Sequence, residues 1–531
     1  MSWNLTCCKV SVPPLAWCLL LYKNGQAILL HGANVEISDL GFVEGAWSGA
    51  FIDYAFDRTD TFMGTGGRIR SSTFIVSTPS HSLDRIHYTR CKHSIILSNS
   101  LVFLLNQLGD RLDPCNPFYV RDLSSYIGGK NKMRKWIKTL SKRKIYLARI
   151  ANLEISTDLD VRVIPRQLPV IGEDFASFSD FLSNTVSALA ENARDPKRKI
   201  KYHPVSTISS GYDSSAAAVL AKKVGCKTCL TIANARDDLN EFTNLDDSGA
   251  PIGDRLGLIV CEFRRDQYLK SADYPEAEFL ASGTGGNDVI LADAEPKLAN
   301  SLLFTGFHGD KVWQRNKKKV ADGDMIRGDT SGSSLLEFRL RTGFIHLPIP
   351  CIGATRQTII SEISNSPEMK PWSVGGAYDR PIPRRVVEEA GVPREMFGQE
   401  KKAVGQPFNA TPNVSLVHGR PLQQLLSQNS YADFQIWLKN LSCKDTLLNN
   451  RSFKLMRFLH SPLPWRIRNL LYTIGIVKRT ISLLDEFRYT YPLTEHDYLL
   501  QWAIEKMAHV YDVDHSDLPH NLIPSKPLNE S

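Results

Sequence analysis

The chain has 531 residues, of which 42% are hydrophobic and 23% charged, with a formal net charge of +8 at pH 7. That length and balance exclude a disordered or low-complexity polypeptide and predict a globular protein of two or three domains. The positive excess is mild. Lys and Arg gather at Lys130–Lys144, Lys197–Lys201 and Lys317–Lys319 with no aromatic interleaving over an extended tract, which disfavours a nucleic-acid surface and suits an anionic small molecule.

Residues 1–165 read as strands. Ala27–Leu30, Gly49–Phe56, Thr73–Ser77 and Ser94–Ser98 are short apolar or alternating runs separated by Gly, Asn, Asp and Pro, which predicts a β-rich layered domain. Met1–Lys9 has no charged lead before a long apolar run, and Leu15–Tyr22 is too short to span a bilayer. A cytoplasmic protein without a membrane span is expected. The ten cysteines follow no framework spacing, and Cys226 and Cys229 read as buried thiols beside an apolar strand. Val161–Pro169 reads as a connector. Phe175–Arg194 predicts a helix with Phe175, Phe178, Leu182, Val186 and Leu189 on one face.

Strands then alternate with helices, which predicts an α/β unit with a parallel sheet. Val205-Ser-Thr-Ile-Ser-Ser-Gly-Tyr-Asp-Ser-Ser215 reads as a buried strand and a small-residue loop, followed by an amphipathic helix. That order predicts an anion cradle. Ser209, Ser210, Gly211, Ser214 and Ser215 let the backbone come close to a phosphate, and the helix N-terminus adds partial positive charge. Asp213 would repel phosphate unless Mg²⁺ sat between them. The bland alternative is an ordinary strand, polar turn and helix. Leu302-Leu-Phe-Thr-Gly-Phe-His-Gly-Asp-Lys-Val-Trp313 is a second apolar strand running into a Gly-punctuated loop, with Asp310 at the same sheet edge. Asp213 and Asp310 together could grip one Mg²⁺. Residues 411–531 are helical in pattern, as at Ser430–Leu441 and Tyr498–Tyr511, and 523–531 reads as a frayed end.

The first loop lacks the Gly-Lys-Ser/Thr of a Walker motif and resembles the Ser-Gly-Gly-x-Asp-Ser loop of the N-type ATP pyrophosphatases, with Ser210 in place of the first glycine. Three further segments, in the same order, resemble the asparagine synthetase and β-lactam synthetase family. Thr305, Gly306, Gly309 and Asp310 match its Ser-Gly-x-Gly-x-Asp-Glu segment, with Phe307 and Lys311 departing. Glu337-Phe-Arg339 is similar to its Glu-x-Arg. Lys401, Gly405 and Pro407 match its Arg-x-Lys-x-Gly-Phe-x-x-Pro, with Ala403 and Val404 departing.

The resemblance implies binding of ATP and Mg²⁺, with Ser209, Ser210, Gly211, Ser214 and Ser215 on the pyrophosphate and Asp213 and Asp310 on the metal. It assigns Lys401 to the α-phosphate and Glu337 to the nucleophile. His308 is a candidate base in place of the missing polar group at Phe307, because an ordinary histidine titrates near neutrality.

Trp47–Arg58 and Ile95–Leu105 are similar to the glutaminase half of asparagine synthetases, which has the N-terminal-nucleophile (Ntn) hydrolase fold. The nucleophilic N-terminal cysteine of that half is missing, because the chain begins Met1-Ser-Trp-Asn4. Together these imply a degenerate Ntn-like domain over 1–165, an ATP-pyrophosphatase domain over 170–410 and a helical extension over 411–531. The implied activity is an AMP-forming ligase joining a small-molecule or peptide carboxylate to ammonia or an amine. A weakened nucleotide-binding scaffold, a nucleic-acid-modifying ATP pyrophosphatase and homo-oligomerisation stay open.

Overall fold

The computed structural model describes residues 2–233, 247–271, 274–317, 320–327, 329–376, 378–399, 422–441 and 495–513. Within residues 4–165 the strands are β1 Asn4–Lys9, β2 Trp17–Tyr22, β3 Gln26–His31, β4 Glu36–Ser38, β5 Gly41–Trp47, β6 Phe62–Arg70 and β7 Thr73–Ser77. They continue with β8 Ile86–Arg90, β9 Ser94–Ser98, β10 Trp136–Lys138, β11 Lys144–Ala148, β12 Ala151–Ile155 and β13 Val161–Pro165. They form a seven-stranded sheet in the order β1-β3-β2-β9-β8-β11-β10 and a six-stranded sheet in the order β13-β12-β7-β6-β5-β4. All neighbours are antiparallel except β1 and β3.

Strand β2 shows why these sheets layer. Its side chains alternate between faces, and both faces are apolar. Trp17, Leu19 and Leu21 join Phe42, Phe74 and Leu153 of the six-stranded sheet in one core. Cys18 and Leu20 enter a second core with Phe103, Leu104 and Leu108 of the helix Leu101–Leu108. Ser100 caps that helix by accepting a hydrogen bond from the Phe103 amide at 3.1 Å.

Two expectations for this half change. The run Gly49–Phe56 is not a strand: the strand is β5, and Phe51–Asp53 is a 3-10 turn. Its aromatics instead pack Trp47, Phe51, Tyr54, Phe56 and Phe62 into one cluster. The first half of the expected connector is β13, an edge strand paired with β12.

The second unit is a parallel sheet of β14 His203–Thr207, β15 Thr228–Ile232, β16 Ile259–Phe263, β17 Ser301–Thr305 and β18 Ile345–Pro348, ordered β16-β15-β14-β17-β18. Every neighbouring pair is parallel, as the strand–helix alternation predicts. Leu302 and Phe304 of β17 face a core with the helices Phe175–Ala193 and Tyr212–Lys223, while Leu303 faces the core shared with the first unit. The described part of the tail belongs to that shared core, through Leu499, Leu500 and Trp502 of the helix Leu499–Met507.

Arg339 joins the units. It is 1% exposed and donates to Glu44 at 2.6 and 3.1 Å, and it pairs with Asp84 at 3.2 Å. Among the described residues no helix is long and apolar enough to cross a membrane.

Candidate anion-binding site

The strand order reverses between β14 and β17, so the chain leaves these adjacent strands toward opposite sides and opens a crevice at their C-terminal ends. Parallel α/β sheets bind ligands at such a place. The loop Ser209-Ser-Gly211 leaves β14 there. Gly211 is the N-cap of the helix Tyr212–Lys223 and no side chain caps it, which leaves the helix N-terminus open to an anion. The hydroxyls hold the loop's shape. Ser209 and Ser214 Oγ atoms lie 2.6 Å apart, Gly211 N–H donates to Ser209 Oγ at 3.2 Å, and Ser215 Oγ donates to the Ser209 carbonyl at 2.7 Å. Ser210 turns away, its hydroxyl donating to Asp247. A methyl group at Gly211 would find only Ser209 Oγ at 3.3 Å and Tyr378 Oη at 3.6 Å, so no bulky side chain fills the bend.

The second loop meets the first. A Cβ on Gly306 would stand 2.3 Å from the backbone of Asp213 and Ser214, and one on Gly309 would stand 2.2 Å from Asp213 Cγ. Only glycine permits that approach, and it brings Asp310 to the side of the crevice where Asp213 stands. Arg380 responds to both. Burial alone would lower its pKa, but Asp213, Tyr378 and Asp310 outweigh burial and hold it above the usual range.

Both carboxylates carry cations. Arg380 donates to Asp213 Oδ2 from the N-cap of the helix Pro381–Glu389, and Lys311 lies 3.4 Å from Asp310. Among the described residues no three His, Cys, Asp or Glu side chains converge. Arg380, Lys311 and Lys317 thus gather around the two carboxylates. Arg380 engages Asp213 Oδ2, so the expected Mg²⁺ between Asp213 and Asp310 would share that carboxylate with a guanidinium.

The remaining expected residues fall elsewhere. His308 stands in the second loop with φ +78°, and burial, then Arg327, Lys317 and Lys311, holds its imidazole well below the usual pKa. Burial thus favours its neutral form, against the expectation of a base titrating near neutrality. Glu337 is 1% exposed and accepts from Ser100 Oγ at 2.9 Å and Tyr511 Oη at 2.5 Å, partners from the first helix and the tail. Burial pushes its carboxyl up to about 7. It braces the shared core and is not among the crevice's contacts. Lys401 lies outside the described residues. Cys7 and Cys8 sit inside β1 opposite Leu29 and Leu30, and burial first, then Cys8, pushes the Cys7 thiol up to about 11.

Sequence reasoning missed Arg380, Tyr378 and Lys317. Arg380 is 167 positions from Asp213 and belongs to no motif. Its one signal was a lone cation before the Pro381 helix start. Lys317 stood out only as one end of the basic run Lys317–Lys319. Burial and Lys311 lower its pKa to about 8, with Asp310 opposing. No family model matches the chain, and no curated protein matches it.

Proposed function

We propose that the protein is an ATP-dependent, AMP-forming ligase that makes an amide bond, built on an ATP-pyrophosphatase-like α/β unit and an Ntn-like scaffold without glutaminase activity. The observation that supports this reading best is the close approach of the two loops at the reversal between β14 and β17. It surrounds an uncapped helix N-terminus with serine hydroxyls and three cations.

Ser209, Gly211, Ser214 and Ser215 receive the β- and γ-phosphates. A substrate carboxylate attacks the α-phosphorus, the bond to the bridging oxygen breaks, and pyrophosphate leaves with the electron pair. Arg380 and Lys317 stabilise that charge in a partly dry site. Ammonia or an amine then attacks the acyl carbon, AMP departs, and the amine proton passes to solvent or to a basic side chain.

A second reading has specific support: the Asp213–Arg380 pair, the neutral His308 and the apolar Phe307 all suit a protein that binds nucleotide without turnover. Pyrophosphate release from ATP, measured with a panel of amino-acid and peptide carboxylates plus ammonium, separates the two. The ligase releases pyrophosphate with at least one acid, and the double variant Asp213→Asn/Arg380→Met loses that release while staying folded. Saturable ATP binding without release across the panel would leave only the binding protein.

A further inference from the structure

A cavity of about 970 Å³ opens where the ends of the two antiparallel sheets meet loops of the parallel unit. That is the size of a small-molecule pocket. Its floor is the crossing Arg149-Ile150, which carries the chain from β11 in one sheet to β12 in the other. Ile150 has φ +49°, a left-handed conformation that a β-branched residue adopts only when its surroundings force it. One wall is aromatic, where Tyr88 and Tyr146 stack with centroids 5.0 Å apart beside Trp136, Met133 and Leu168, while Asp60, Lys130, Lys135, Arg166 and Asp324 also line the cavity.

Arg149 stands against this wall, 6% exposed. Its Nη2 donates to the Leu123 carbonyl at 3.2 Å and its guanidinium lies 4.3 Å from the Tyr126 ring centroid, while Nε and Nη1 have no acceptor. Arg85 and Arg327, both fully buried, each leave a further nitrogen unpartnered, Nη1 and Nε respectively. Asp84 and Glu337 attract Arg85, Asp84 attracts Arg149 and Asp329 lies 3.8 Å from Arg327, yet none of them accepts a hydrogen bond from these nitrogens. Asp84 is engaged by Arg339 at 3.2 Å, and Glu337 accepts from Ser100 and Tyr511. Burial, then Arg85, lowers the Arg149 pKa to about 9, with Arg327 adding to it. Buried donors without acceptors, on like charges held together, are costly unless an anion joins them.

We infer that this cavity binds an aromatic small molecule through a carboxylate, the head group on Arg149 and the rings against Tyr146 and Met133. A guanidinium fork pairs with a carboxylate through parallel hydrogen bonds, and a flat apolar body suits the tyrosine pair. The inference does not rest on the nucleotide reading, and none of the residues proposed to hold phosphate lines the cavity.

The test uses the full chain and the photoreactive probe 4-benzoylbenzoate, with uncharged 4-benzoylbenzyl alcohol as control. Calorimetry should show the carboxylate binding at least about tenfold tighter than the alcohol, and Arg149→Met removing that preference. Irradiation of the wild-type protein should label peptides carrying Met133, Tyr146 or Met325, which line the cavity. Asp213→Asn/Arg380→Met should leave both results unchanged. Equal affinity for acid and alcohol, or labelling confined to other peptides, would overturn the inference; the label map holds even if Arg149→Met fails to fold.

Discussion

Glu337 sits in a pocket made polar by Ser100 and Tyr511, and burial pushes its carboxyl from an ordinary 4.5 up to about 7. In the folded chain it keeps a proton that the unfolded chain releases. Its favourable contribution is therefore complete below about pH 4.5 and is lost as pH rises through 7. The loss amounts to about 3 kcal/mol over that window. Glu337→Gln keeps an acceptor for both hydroxyls and cannot ionise. Urea unfolding at pH 5 and pH 8 should show the variant gaining on the wild type as pH rises, by up to about 3 kcal/mol. A difference that does not change with pH would mean Glu337 is not held protonated. Sequence reasoning assigned this residue to the nucleophile because Glu337 and Arg339 occupy the right spacing. Burial and partners come from segments hundreds of positions apart, which spacing does not encode.

At the level of elements, the two glycines of the second loop do more than loosen a turn. Valine at Gly309 would drive side-chain atoms into Asp213, whose Cγ would lie 2.2 Å from the new Cβ. The loops must then part, while β14, β17 and the helix Tyr212–Lys223 keep their own hydrogen bonds. The expected result is a protein that folds, loses about 1–3 kcal/mol to overpacking and binds ATP at least about tenfold more weakly.

The strands and helices of this unit were legible because small and apolar residues repeat at the right periods: Ala216–Leu220 follow the loop, and Leu302–Phe304 run into the next. The meeting of the loops was legible only as a topological expectation. Arg380 was not legible, because an isolated arginine ahead of a proline says nothing about which carboxylate it will face. Aromatic density misled at Gly49–Phe56, where a packed turn and a strand need the same large apolar side chains.

The molecule as a whole is pinned at its waist by charge. Arg339, from the helix leading into β18, reaches Glu44 of β5 and Asp84, all three nearly fully buried. Removing one partner strands the others without a counter-charge. Arg339→Met is expected to cost about 3–5 kcal/mol, measured by urea unfolding, and the antiparallel and parallel units should lose structure together. A cost below about 1 kcal/mol would show that the pair contributes no more than an exposed one. The layered arrangement followed from alternating apolar patterns, as in β2. The fusion of tail and sheets through Trp502 and Tyr511 did not, since helical periodicity names a buried face and not what covers it.

The account stands on a polyphosphate lodging in the crevice between β14 and β17, neutralised by Arg380, Lys311 and Lys317. Calorimetric titration of the full chain with ATP, once with magnesium and once with EDTA, tests it most directly. Saturable one-to-one binding is predicted in both buffers, weakened by Gly309→Val and by Asp213→Asn/Arg380→Met. No binding by the wild-type chain, or binding indifferent to both variants, would contradict it.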